Sequence, residues 1–196
     1  MRDVNPPGVG GRFLNISSCG GYSAQPTIAI YNAAKFGKSN KHVTFSIVVS
    51  NTLSSLLALE GFTESLSKEM DPSWNISATI IQPGGFRTEW GGSSLKTYPP
   101  PPQYADPGSP CAKFRVMAFQ SSASAIGDPT KAAQAMLAVA DMPTVPLRIQ
   151  LGTESMAIVV GKAKETLTNA EKYADIAHST NAEGVDTKAI LQMLSV

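Results

Sequence analysis

Asn75-Ile-Ser-Ala-Thr-Ile-Ile-Gln82, closed at once by Pro83-Gly84-Gly85, decides the fold. The run is mostly apolar on both of its faces, as a strand inside a parallel sheet must be, because helices cover such a sheet on both sides. Upstream, Arg12-Phe-Leu-Asn-Ile-Ser17 reads as a strand running into Ser18-Cys-Gly-Gly, and downstream Leu147-Arg-Ile-Gln-Leu151 reads as a third. Helices are expected between and after them. Over 58–70, Leu59, Phe62 and Leu66 share one face, with Glu60, Glu64 and Lys68 on the other. Asp128-Pro129 supplies an N-cap and first-turn proline for a helix over 130–140, and a further helix runs over 155–173. Residues 28–36 are also expected to be helical, with Ala29, Ala33 and Ala34 as small packing positions. Strand, helix, strand, helix, strand predicts an α/β fold on a parallel sheet. Residues 86–127 form a long connection rich in Pro, Ser and Gly, read here as a substrate lid, and the tail over 177–196 is expected to be loosely held apart from a turn near Leu191.

Composition narrows the function. The 196 residues are 42% hydrophobic and 16% charged, and 16 Lys+Arg against 15 Asp+Glu leave a net charge of +1, which describes one ordinary globular domain. Binding a nucleic-acid backbone or an anionic membrane needs clustered Lys and Arg, and no such block exists. The expectation is therefore no nucleic acid and no membrane. The polar, proline-broken start Met1-Arg-Asp-Val-Asn-Pro-Pro7 has no secretory apolar region, which makes the cytoplasm the expected location. Cys19 and Cys111 stand far apart without metal-ligand spacing and read as buried or free thiols, so no metal is expected.

Tyr31 and Lys35 stand at i and i+4 of a predicted helix, which projects both side chains from one face. A free tyrosine hydroxyl, with a pKa of about 10, is a poor base at neutral pH; an adjacent ammonium stabilises the phenolate and lowers that pKa. The pair can then shuttle a proton. Ser17-Ser18 ends the strand before this helix, and Pro83-Gly84 ends the next strand. Ligands of open parallel sheets bind outside the carboxyl ends of the strands, so the three features converge on one edge.

The arrangement resembles the short-chain dehydrogenase/reductase family. The resemblance is carried by Asn15-Ile-Ser-Ser18, Tyr31-Asn-Ala-Ala-Lys35 and Pro83-Gly-Gly-Phe-Arg-Thr88, with the run from Ala58 to Glu69 similar to the family's helix. It implies a partial Rossmann-like, doubly wound sheet, of which this chain holds the C-terminal half: about three strands with flanking helices over 1–176. It further implies that Tyr31 is the catalytic acid/base, that Lys35 lowers its pKa and holds the cofactor ribose, and that Ser18 orients the substrate oxygen. Ser18 is preferred to Ser17 because the family's usual spacing between serine and tyrosine fits it. Pro83, Gly84 and Thr88 would contact the nicotinamide end of NAD(P). The implied reaction is hydride transfer between a small-molecule alcohol and its carbonyl, and homo-oligomers assembled through the helices are compatible with it.

Two departures accompany the resemblance. The family's first half carries a Gly-rich turn that cradles the pyrophosphate at a helix N-terminus. Gly8-Val-Gly-Gly11 precedes a strand instead of following one and cannot be that turn, and the family's catalytic asparagine would also fall before residue 1. Cofactor binding by this chain is accordingly expected to be weak. The second departure is an insertion at 37–57: joining Phe36 to Ala58 restores one continuous family helix. Gly37-Lys38, Ser50-Asn51 and Leu57-Ala58 admit codons for an intron donor, branch point and acceptor in a consistent phase, so a retained intron is expected there. Asn15-Ile-Ser17 and Asn75-Ile-Ser77 match a glycosylation sequon but overlap strands and read as chance. Pro99 to Pro102 read as a proline-stiffened lid edge, and His42 and His178 receive no role. An impaired oxidoreductase and a non-catalytic remnant, acting as an interaction protein or failing to fold stably, both stand on these grounds.

Overall fold

The computed structural model describes residues 1, 4–6, 8–28, 57–91, 98–119 and 125–194. Three parallel strands form one sheet in the order β1 (Gly11–Ile16), β2 (Ile76–Pro83), β3 (Arg148–Leu151). Register is fixed by Gly11 opposite Ile76 through Ile16 opposite Ile81, and by Ile80 opposite Arg148 through Pro83 opposite Leu151. β2 is the interior strand that its apolar run requires. Ile80 and Ile81, pointing to opposite faces, are both fully buried.

The helices are α1 (Leu57–Glu69), α2 (Pro110–Phe119), α3 (Pro129–Ala140), α4 (Thr153–Lys172), α5 (Ala174–His178) and α6 (Thr187–Met193). α3 starts as its sequence requires: the Asp128 carboxylate accepts from Thr130 N and Lys131 N, and Pro129, which has no amide hydrogen to satisfy, follows it. Residues 86–127 are more structured than a bare connection. They contain α2, short 3-10 turns at Glu89–Gly91 and Pro102–Tyr104, and a parallel bridge from Phe86 to Gly127. The Pro/Ser/Gly-rich flanks concealed a helix whose own residues, Pro110 to Phe119, contain no glycine.

The chain forms two compact units, Met1–Val159 and Val160–Val196. The sheet lies in the first; the expected boundary at 176 falls within the second. That second unit contains the later turns of α4 together with α5 and α6, with Leu167, Ile176 and Leu191 exposed. The expected helix over 28–36 and the insertion at 37–57, Leu57 excepted, lie outside the described residues. Among the described residues no helix is long and apolar enough to cross a membrane, and no cluster of His, Cys, Asp or Glu is suited to a metal.

The two faces of the sheet differ in chemistry. Alternation along the strands, with the register above, puts Asn15, Ser17, Gln82, Arg148 and Gln150 on one face, and Leu14, Ile16, Ile81, Ile149 and Leu151 on the other. α1 covers the polar face with polar side chains of its own. Glu60 is only 1% exposed; its carboxylate accepts from Ser17 Oγ at 2.5 Å, from Gln82 Nε2 at 3.1 Å and from Arg148 Nε at 3.2 Å. Thr63 Oγ1 accepts from Asn15 Nδ2 at 2.7 Å, and Gln82 Oε1 accepts from Gln150 Nε2 at 2.7 Å. A buried carboxylate is tolerable only when paired and fully hydrogen-bonded, and this one is.

Candidate active site

The carboxyl ends of the strands meet at one edge. Ser17 N donates to Ile81 O at 2.7 Å just beyond β1, and Gly84 N donates to Leu151 O at 2.8 Å just beyond β2. A cleft of about 690 Å³ opens there, and Ser18, Pro83, Gly84 and Thr88 all line it. Four of the six residues assigned from the sequence are thus brought together. Tyr31 and Lys35 lie outside the described residues.

The adjacent serines are used differently. Ser17 is 5% exposed and its hydroxyl is donated to Glu60, below the sheet edge. Ser18 is extended, and its Oγ accepts from Gly20 N at 3.1 Å, capping the short 3-10 turn Cys19–Gly21. A hydroxyl that accepts from a backbone amide keeps its own proton for another acceptor. Thr88 Oγ1 accepts from Trp90 N at 3.4 Å, within the turn that follows Phe86. Arg87 NH2 lies 3.6 Å from the Asp128 carboxylate, joining that turn to the start of α3.

The start of α4 forms the far wall. Ser155 is fully buried and donates to Gln82 O at 2.7 Å, and Glu154 Oε1 accepts from Gly85 N at 2.7 Å, so two side chains bolt this helix to the exit of β2. Burial pushes the Cys19 thiol above its ordinary pKa, with the nearby Glu154 charge adding to the effect, so the thiol stays protonated. Apolar side chains from the 86–127 segment, including Trp90, Phe114 and Met117, complete the lining. A mostly apolar cleft with a few convergent polar groups is the usual form of a small-molecule site.

Sequence reading missed Glu154, Cys19 and the Glu60 network. Gln82, closing the mostly apolar run 75–82, was the available signal for the network, because a polar side chain on a strand covered on both faces must find partners. For Glu154 the signal was weaker: a strand, one glycine and a helix start in direct succession over Leu151, Gly152 and Thr153.

Fold and cleft define an open parallel α/β protein with a cleft at the carboxyl edge of its sheet, where ligands of such sheets bind. No family model matches the chain. An uncharacterised oxidoreductase of Schizosaccharomyces pombe is 29% identical over 183 residues, covering 93% of this chain and 54% of the relative. The oxidoreductase calM of Penicillium decumbens is 28% identical over 170 residues, 86% of this chain and 49% of the relative. Among solved structures, a short-chain dehydrogenase from Streptomyces avermitilis superposes with a TM-score of 0.66 at 27% identity, over 87% of this chain and 53% of that one. The chain spans about half the length of the relatives it matches. The relatives are oxidoreductases and the solved neighbour is a short-chain dehydrogenase, so the likeness supports the short-chain dehydrogenase/reductase family.

Proposed function

We propose that the chain carries the substrate side of an NAD(P)-dependent oxidoreductase that interconverts a small alcohol and its carbonyl compound. The observation that supports this reading is the convergence of Ser18, Pro83, Gly84 and Thr88 on one apolar cleft at the carboxyl edge of a parallel sheet. Ser18 Oγ orients the substrate oxygen, a role open to it because the neighbouring Ser17 hydroxyl is committed to Glu60. Tyr31, assigned from the sequence, exchanges the proton with that oxygen; Lys35 holds its pKa down by charge and also binds the cofactor ribose. The Pro83-Gly84 turn and Thr88 hold the nicotinamide end. NAD(P), when bound, supplies the hydride acceptor or donor. The protein's share is orientation, proton movement and shielding from water, the last by the 86–127 segment through Phe114 and Met117.

The described residues suit the nicotinamide end better than the phosphates. The strand-glycine-helix turn at Gly152 is the shape that holds a pyrophosphate, but the first turn of its helix carries the acidic Glu154, which repels an anion. Weak binding of the cofactor phosphates follows from that repulsion. The test is titration of the purified chain with NADH and NADPH, followed by an alcohol panel with the oxidised cofactors. Saturable binding well above the low micromolar range, with slow alcohol oxidation, is expected. A non-catalytic interaction protein, the second reading, requires neither, and no saturation up to millimolar cofactor would select it.

A further inference from the structure

Glu154 Oε2 is the one buried side-chain oxygen or nitrogen among the described residues without a hydrogen-bond partner. Its sister oxygen is occupied by Gly85 N at 2.7 Å, which fixes the carboxylate's orientation, and Glu154 lines the cleft. The backbone leaves room for it on two sides. A Cβ at Gly84 would come within 2.3 Å of Oε1, and Gly152, at φ +104°, would bring one within 3.0 Å of Oε1 and 3.1 Å of Oε2. A first-turn glutamate that served only the helix dipole would gain as much with both oxygens in water. Burying one of them unpaired costs free energy that a bound hydrogen-bond donor would recover.

We propose that the cleft takes a ligand with an apolar body and a hydroxyl or ammonium group whose hydrogen is accepted by Glu154 Oε2, and that it disfavours a carboxylate at that end. The apolar body is matched by Ile28, Trp90, Phe114, Met117, Ile126 and Ile158 in the lining. This rests on reading the cleft as the substrate site, and it adds a specificity-determining residue: the group held by Glu154 is a second one, separate from the oxygen that meets Ser18.

Binding alone tests it, without any hydride transfer. The full chain is titrated with benzyl alcohol, benzyl methyl ether and benzoate, followed by ligand-observed NMR. Benzyl alcohol, which can donate, should bind at least about tenfold tighter than the ether, as a hydrogen bond to a charged acceptor implies. Benzoate should bind no better than the ether. Glu154→Gln keeps a carbonyl for Gly85 N and puts an amide N–H in the place of Oε2, so the preference for the alcohol should fall to parity or reverse. Glu154→Asp, which keeps the charge but withdraws it from the cleft, should also lose the preference. Equal affinities for alcohol and ether in the native chain, no binding of either, or an undiminished preference in Glu154→Gln would each overturn the proposal. A native chain that lacks the preference yet oxidises alcohols would remove this proposal and leave the oxidoreductase reading standing.

Discussion

Arg148 Nε donates to Glu60 Oε2 at 3.2 Å, tying the last strand of the sheet to a helix 88 residues earlier in the chain. The same Glu60 carboxylate receives Ser17 from β1's exit and Gln82 from β2, so one buried charge gathers all three strands. Breaking such a cluster on one side strands the remaining polar groups. Glu60→Ala should therefore destabilise the fold by about 3–5 kcal/mol, the range for removing one partner of a buried ion pair. Urea unfolding should show a lower midpoint, and a midpoint within error of the native chain would refute the role given to Glu60.

The apolar core makes a contrasting prediction. Ile81→Ala, at a fully buried position of the interior strand, should cost about 2–5 kcal/mol by transfer loss and cavity formation. Leu137→Ala, at a position 68% exposed, should change stability by no more than about 0.5 kcal/mol. Equal effects in the same urea series would mean that α3 is packed differently.

Acid should act through Glu64. Hydrogen bonds from Lys68 and then Arg148 hold its carboxyl at about 2, well below the ordinary value. Because the folded value is depressed, the unfolded chain takes up the proton first. The contribution is full above about pH 5 and is lost as pH falls through the folded value near 2. Its size is modest, since a third of the side chain meets solvent that screens the pair. Unfolding midpoints measured across that window should fall less steeply in Glu64→Gln than in the native chain, and identical slopes would exclude this origin.

The two serines should separate by phenotype. Ser17→Ala leaves the Glu60 carboxylate short of a buried donor and should lower the unfolding midpoint, with catalysis affected only through stability. Ser18→Ala loses one part-buried cap and, in the proposed function, the group that orients substrate, so turnover should fall far more than stability. The reverse pattern would exchange their roles.

Much of the fold was legible because its signals are local. Apolar runs bounded by Gly and Pro located all three strands to within a residue, and Asp128-Pro129 located the start of α3. α2 escaped notice because its hydrophobic residues do not gather on one face, leaving no helical period to read against the surrounding prolines and serines. In the cleft lining, Ser18, Pro83, Gly84 and Thr88 are residues that the family resemblance names, and the first three lie at strand ends visible in sequence. Glu154 could not, because its role depends on the parallel pairing of β3 with β2, which brings the start of α4 against Gly85. Long-range pairing of that kind leaves no mark on spacing.

The proposed function is hydride transfer with Tyr31 handling the proton. Its most direct measurement is isotopic: the chain is incubated with millimolar NAD or NADP and alcohols deuterated at the carbinol carbon, and the nicotinamide ring is assayed for deuterium. The account predicts enzyme-dependent deuterium on the ring, falling by at least about 100-fold in Tyr31→Phe, the scale of an acid/base group. No transfer by the native chain, or transfer undiminished in Tyr31→Phe, would contradict it.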